Sequence, residues 1–246
     1  FYSPGIFGFG AFDYWRTDGA GLVAMGSEDN IATVSNTMIS GNLGRANDNY
    51  PGTPSSLNNK TNNGGGIYIA NGVMINSVVS GNNIVVNPSP YDDGAAASCG
   101  GGVYVFAKGL VENCEIYDNG FLTGSQNGAG IFMADYTQDA TSYDDLVIRN
   151  SFVHTNRAGG GVAIDAQYST IENSIVANNT GNGIYGYGNC HRLRTVNSIM
   201  YNNSAAGWGH TANANNRDNQ LINSTVVRNG TGVTIGNTNN HMVRNS

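Results

Sequence analysis

The residues able to do chemistry are few and unevenly placed. Five aspartates gather in one stretch: Asp135, Asp139, Asp144, Asp145 and Asp165. Calcium takes several oxygens at about 2.3–2.6 Å, which such a group could supply, so these five are the candidate metal ligands and calcium the candidate cofactor. The competing reading is a solvated acidic loop. Adjacent acids also occur as Asp92-Asp93 and Asp144-Asp145. A glycosidase needs two carboxylates at a set separation, and nothing in the spacing assigns them. A lyase needs a base such as Arg or Lys, and Arg149, Arg157, Arg192 and Arg194 read as solvent-facing strand residues. Cys190-His191 lacks zinc spacing, and His154, His210 and His241 read as surface or turn residues. The sequence therefore nominates no catalytic residue.

The chain that must position these groups has 246 residues, 11% of them charged, with a net charge of -6. No basic face is available to neutralise phosphates, which argues against a nucleic-acid partner. No apolar run is long enough to cross a bilayer. Glycine (35) and asparagine (37) together make up 72 residues, a turn-rich bias. Hydrophobic residues still reach 39% and recur at fixed positions, unlike a disordered low-complexity chain. The three cysteines, Cys99, Cys114 and Cys190, are no disulfide framework, although Cys99 and Cys114 could pair if adjacent coils align them.

The recurrence is an explicit repeat. Two asparagines six apart occur seven times, at 36/42, 76/82, 113/119, 150/156, 173/179, 197/203 and 223/229, with Asn245 opening an eighth copy. A small residue (Thr, Ser or Cys) follows the first Asn, and an apolar residue stands three after it wherever the chain reaches. The residue two before it is apolar except at Thr195. Between these motifs lies Gly-x-Gly followed by an apolar-x-apolar triplet, as in Gly64-Gly65-Gly66-Ile67-Tyr68-Ile69 and Gly100-Gly101-Gly102-Val103-Tyr104-Val105. Successive first asparagines lie 40, 37, 37, 23, 24, 26 and 22 residues apart, so a bare coil takes about 22 residues and longer intervals carry insertions. Gly181-Asn182-Gly183-Ile184-Tyr185-Gly186 matches a dinucleotide fingerprint, but it is one copy of this repeat with no strand–helix unit around it.

Period-2 alternation over three to five residues predicts short strands. One coil cannot bury its apolar face alone, so neighbours must stack, with parallel strands about 4.8 Å apart. Identical positions then lie above one another, and the first Asn of each motif is expected to form an amide ladder at a buried turn. The expected fold is all-β: a single-stranded parallel β-helix of about eight coils and about 40 Å. The Gly-x-Gly-Ile-Tyr-Ile and Ile-x-Asn-Ser-x-Val-x-x-Asn patterns resemble the right-handed parallel β-helix repeat family, which includes pectate-lyase-like enzymes, tailspikes and bacterial surface proteins. The resemblance covers residues 19–246 and implies a fold more than a function. The acid pairs resemble those of polygalacturonases, yet no Gly-His-Gly or Arg-x-Lys accompanies them.

Three long insertions fall at one corner, about residues 43–63, 83–99 and 120–127, and a fourth at 134–145 follows a triplet. Long loops on one side of a repeat array mark its working face. The middle residues of the triplets point outward and read Tyr68, Tyr104, Phe132, Ala163, Tyr185, Thr234. Tyr68, Tyr104, Phe132 and Tyr185 are thus the candidate ligand-binding residues, suited to sugar rings. The alternative is that stacked aromatics simply stabilise the sheet. Residues 1–18 hold seven aromatics and are expected to cap the first coil or meet a partner, and the β-helix, residues 19–246, is expected to be cut inside a coil at Ser246. The leading expectation is a secreted or cell-surface β-helix, such as an adhesin, tailspike or fibre segment, presenting a loop-lined face to a glycan or partner. A polysaccharide lyase or glycoside hydrolase acting on the same loop-lined face is one competing class. A structural rod that assembles end to end, as a homo-oligomer, is the other.

Overall fold

The computed structural model describes residues 17–18, 21–27, 30–46, 62–86, 99–122, 127–135, 146–188, 190–212, 216–236 and 240–246. The chain winds through three strand faces per coil, and every strand pairing is parallel. The first face runs Leu22–Met25, the start of Ile67–Ile75, the start of Val103–Glu112, Ile131–Ala134, Val162–Asp165, Ile184–Gly186, Ala206–His210 and Thr231–Ile235. The second continues after a bend through Ala32–Ser35, the ends of the two long strands, Leu146–Arg149, Ser169–Glu172, Arg194–Val196, Gln220–Ile222 and Met242–Arg244. The third, beyond the first Asn, runs from Met38–Ser40 to Thr225–Val227 in seven coils. We number the coils 1 to 8 from Leu22. No helix long and apolar enough to cross a membrane occurs among the described residues.

The register places the apolar positions inside. Ile67, Ile69, Val103, Val105, Ile131, Ile164 and Ile184 line the interior with Met74, Val79, Ile148, Val153 and Val176, all at most 1% exposed. Thr195, the one polar break in the second-face pattern, is also buried, and its hydroxyl accepts the indole N–H of Trp208 at 3.0 Å. A buried indole needs such an acceptor, so the exception and the tryptophan explain each other.

The two asparagines of the motif do different work, and the expectation for the first is corrected here. Every first Asn, from Asn36 to Asn245, is exposed and holds a left-handed backbone with φ of 47–52°. Asparagine tolerates this region better than other non-glycine residues. Only a few of these amides meet along the stack, as Asn113 and Asn76 do at 3.3 Å. The buried ladder belongs instead to the second Asn. Asn82, Asn119, Asn156, Asn179 and Asn203 are at most 1% exposed. In each, the backbone N–H and one side-chain N–H donate to the Oδ1 of the next coil's Asn, at 3.0 and 2.9 Å for Asn82 to Asn119. The other side-chain N–H donates to a third-face carbonyl of the preceding coil, as Asn119 does to Val79 at 2.9 Å. One side chain thus ties three coils.

This ladder explains the glycine motif. A Cβ added at Gly66, Gly102, Gly130, Gly161 or Gly183 would come 2.8 Å from the Nδ2 of Asn82, Asn119, Asn156, Asn179 or Asn203 respectively. The second glycine of Gly-x-Gly is therefore the surface on which the ladder amide lies. A second ladder follows the first Asn: each Ser Oγ donates to the carbonyl two residues back and accepts an N–H from the preceding coil, as Ser174 does from Ser151 at 3.2 Å. Cys114 occupies this position in coil 3, its thiol 3.1 Å from the Glu112 carbonyl. All three cysteines are free, so Cys99 and Cys114 do not pair.

Short strands Leu43–Ala46, Asn83–Val86 and Gly120–Phe121 extend the third face in parallel, so the first three insertions start later than the sequence suggests. Asn119→Ala should cost about 3 kcal/mol, because the Asn82 donors lose their shared acceptor inside the protein. Asn113→Gly, at a left-handed turn, should change stability by less than about 1 kcal/mol. Urea unfolding of both variants checks the contrast.

Candidate functional site

The outward positions of the first face form one column, Val23–Tyr68–Tyr104–Phe132–Ala163–Tyr185–Gly209–Thr234. Parallel in-register pairing puts like side chains over like, so the rings stack. Tyr68 and Tyr104 lie 5.3 Å apart at 8°, and Tyr104 and Phe132 lie 5.5 Å apart at 17°. The stack is covered: Tyr68, Tyr104 and Phe132 are 4%, 1% and 3% exposed. They form a second apolar cluster, outside the coil, with Ala70, Cys99, Ala134 and Ala163, against which Phe106 and Tyr187 pack. Such a buried stack stabilises the sheet as cross-strand aromatic pairs do. Tyr185 stands apart from the three. It is half-buried and meets Tyr187 edge-on at 5.0 Å. Burial pushes both phenols above their ordinary range, Tyr187 against a weaker opposing hydrogen bond from Asn182.

The aspartates divide. Asp135 and Asp165 sit on adjacent coils, the Asp135 N–H donating to the Asp165 carbonyl at 3.2 Å, and Asp135 is 4% exposed. The turn at Gly188 lies so close on the Asp165 carboxylate that an added Cβ would collide with it. Cys99 and Cys190 lie near the same carboxylate. Burial first, then the Asp165 charge, pushes Cys99 up to about 12 and raises Cys190 as well. These thiols are inert at neutral pH. Asp139, Asp144 and Asp145 lie outside the described residues, as do Asp92 and Asp93. Among the described residues no group of three or more His, Cys, Asp or Glu could hold a metal ion. Asp135 and Asp165 alone fall short of the six to eight oxygens that calcium takes.

Three of the four arginines weighed as bases are engaged on the scaffold. Arg149 pairs with Glu112 at 2.9 Å, Arg157 donates to the Asp118 carbonyl at 3.1 Å, and Arg192 lies 4.6 Å over the Tyr168 ring. Of the histidines, His210 departs from the sequence reading and His154 does not. His154 is a surface residue that meets Glu115 at 3.1 Å and stacks on Tyr117 and Phe152. His210 is 1% exposed, inside coil 7. Its place in Trp208-Gly209-His210, two residues after an inward tryptophan, was the signal that could have put it there.

A parallel three-faced coil, a buried amide ladder and an outer aromatic stack define a β-helix. A family model described as "Right handed beta helix region" matches residues 93–246, more than half of the chain, and the chain belongs to that family. No curated protein and no solved structure matches it.

The burial of the stack sets an expectation for its substitution. Tyr104→Ala should cost about 3–5 kcal/mol by opening a ring-sized cavity, whereas Tyr185→Ala should cost about 1–2 kcal/mol. Denaturant midpoints of the two variants check the difference.

Proposed function

We propose that this chain is a non-catalytic display scaffold of a secreted or cell-surface protein, whose loop-bearing corner recognises a glycan or a protein partner. The observation that carries this reading is the alignment of the insertions. Residues 47–61, 87–98 and 123–126 leave the coil after the stacked strands Leu43–Ala46, Asn83–Val86 and Gly120–Phe121. They return at Asn63, Cys99 and Asn127, which bridge in parallel on successive coils. The departure and return points of three segments of different sequence are therefore held on successive coils, about 4.8 Å apart per coil. The fourth insertion, 136–145, leaves the other end of the same face, next to Asp135. Coils 5 to 8 need no such segments to fold, since Asn179 runs to Gly181 across a bare corner. Variation concentrated on one side of a regular array is how repeat proteins build recognition surfaces. Tyr185 and Tyr187, half-buried beside the covered stack, are the aromatic groups such a ligand would meet at the edge of this face.

The test is a variant with the three insertions shortened to the bare corner, compared with the parent on a glycan array and in partner capture. The parent should bind a ligand that the trimmed protein loses while keeping its β-sheet circular dichroism. Equal binding by a folded trimmed protein would place recognition elsewhere. Release of new reducing or unsaturated ends from a bound polysaccharide would overturn the non-catalytic reading.

A further inference from the structure

The buried polar atoms of the coils are almost all paired, and the exceptions share one place. Ser169 Oγ, both ring nitrogens of His191, His210 Nε2 and Asn216 Oδ1 are buried with no hydrogen-bond partner. Arg149 Nε, buried as well, is ion-paired with the Glu112 carboxylate at 2.9 Å. The rest lie in or border the bend between the first and second faces of coils 5 to 7: His191 and Asn216 within it, Ser169 at the start of a second-face strand and His210 at the end of a first-face one. His241 stands at the same bend in coil 8, its ring tilted 35° to that of His210 with centroids 4.0 Å apart. His210 and His241 therefore meet, and His191 lies at the corresponding bend of coil 6, bridged in parallel to Gln167 and Arg217 on the coils either side.

The hydrogen bonds fix the protonation that this bend accepts. His210 Nδ1 lies 3.1 Å from the Thr211 carbonyl, which can only accept, so Nδ1 carries the proton and Nε2 the lone pair. The Asn219 N–H donates to His241 Nδ1 at 3.4 Å, so that nitrogen must be bare. A proton added at His210 Nε2 would create a buried donor with no acceptor, against a second imidazole. His191, 9% exposed, has no acceptor for a proton on either nitrogen.

We propose that this histidine bend is an acid-sensitive latch, which holds coils 6 to 8 closed while its imidazoles are neutral and releases them when the imidazoles are protonated. The charged and titratable groups facing it favour the neutral form. Burial lowers His191 first, then the Arg217 and Arg192 charges, with Asp218 opposing. Burial lowers His241, then His210, again with Asp218 opposing. Cys190, whose thiol burial keeps protonated, adds no charge. A histidine with a lowered folded-state pKa contributes stability above its unfolded value of about 6.5 and loses it as the pH falls below that value. The solenoid makes the response local, because each coil is held by its neighbours alone and an array can open in part.

Hydrogen exchange of the intact chain at pH 7.5 and 5.0, corrected for intrinsic exchange, tests the latch. Amides of residues 184–229 should exchange several-fold faster at pH 5.0, because the unfolded chain takes up histidine protons before the folded one does. Residues 103–122 and 146–157 should hold their protection. In His210→Gln/His241→Asn, which leaves only His191 of the three to titrate, the acid effect in 184–229 should shrink by at least about half. An acid effect spread evenly over all coils would overturn the proposal whether or not the double variant folds. So would an undiminished effect in a folded double variant.

Discussion

The constraint on which the rest depends is that every coil must satisfy its buried corner by bonding to its neighbours. A three-faced coil turns its backbone inward at the corner after the third face, away from water. The ladder from Asn82 to Asn203 fills that corner with a group that both donates and accepts, so one residue type serves every coil. Each amide reaches forward to the next Asn and back to a carbonyl of the coil before. Glycine beneath the amide follows from this contact, and so does the fixed spacing between the motifs. The apolar interior supplies most of the driving force, but the ladder sets the register in which the interior packs.

Because the scaffold depends on these few positions, the rest of each coil is free to vary. Insertions of unlike length leave from one aligned corner without disturbing the coils beneath. The aromatic column on the first face adds a second apolar layer, where Tyr68, Tyr104 and Phe132 pack with Cys99 and Tyr187 outside the coil. The face that the insertions border is thus stiffened on its outer side as well as its inner one.

The repeat, the coil length and the in-or-out sense of each triplet were legible in the sequence, because they rest on periodicity alone. Which asparagine is buried was not. Both recur at one spacing, and the left-handed φ of the first and the burial of the second depend on how the corners turn. The touching of Gly66 and Asn82, Gly102 and Asn119 links the two motifs across a coil, which no local window shows. The column of Tyr68, Tyr104 and Phe132 was legible as a stack, but its depth of burial was not, since it depends on how Ala70, Phe106 and Ala134 beside it and Tyr187 from a later coil close over the rings. His210 was misplaced because a histidine in a glycine-rich stretch reads as a turn, although the triplet pattern carried its inward position. The acidic group was legible only in part: Asp135 and Asp165 do lie on adjacent coils, and Asp135 is buried there rather than solvated.

The claim that the buried ladder organises the array is tested most directly by exchange of the asparagine side-chain amides in nitrogen-15 NMR. The account predicts that the amide protons of Asn82, Asn119, Asn156, Asn179 and Asn203 persist in deuterated buffer long after those of Asn36, Asn113, Asn150 and Asn223 have exchanged. Equal and rapid loss from both sets would contradict it, and would mean that apolar packing alone holds the coils in register.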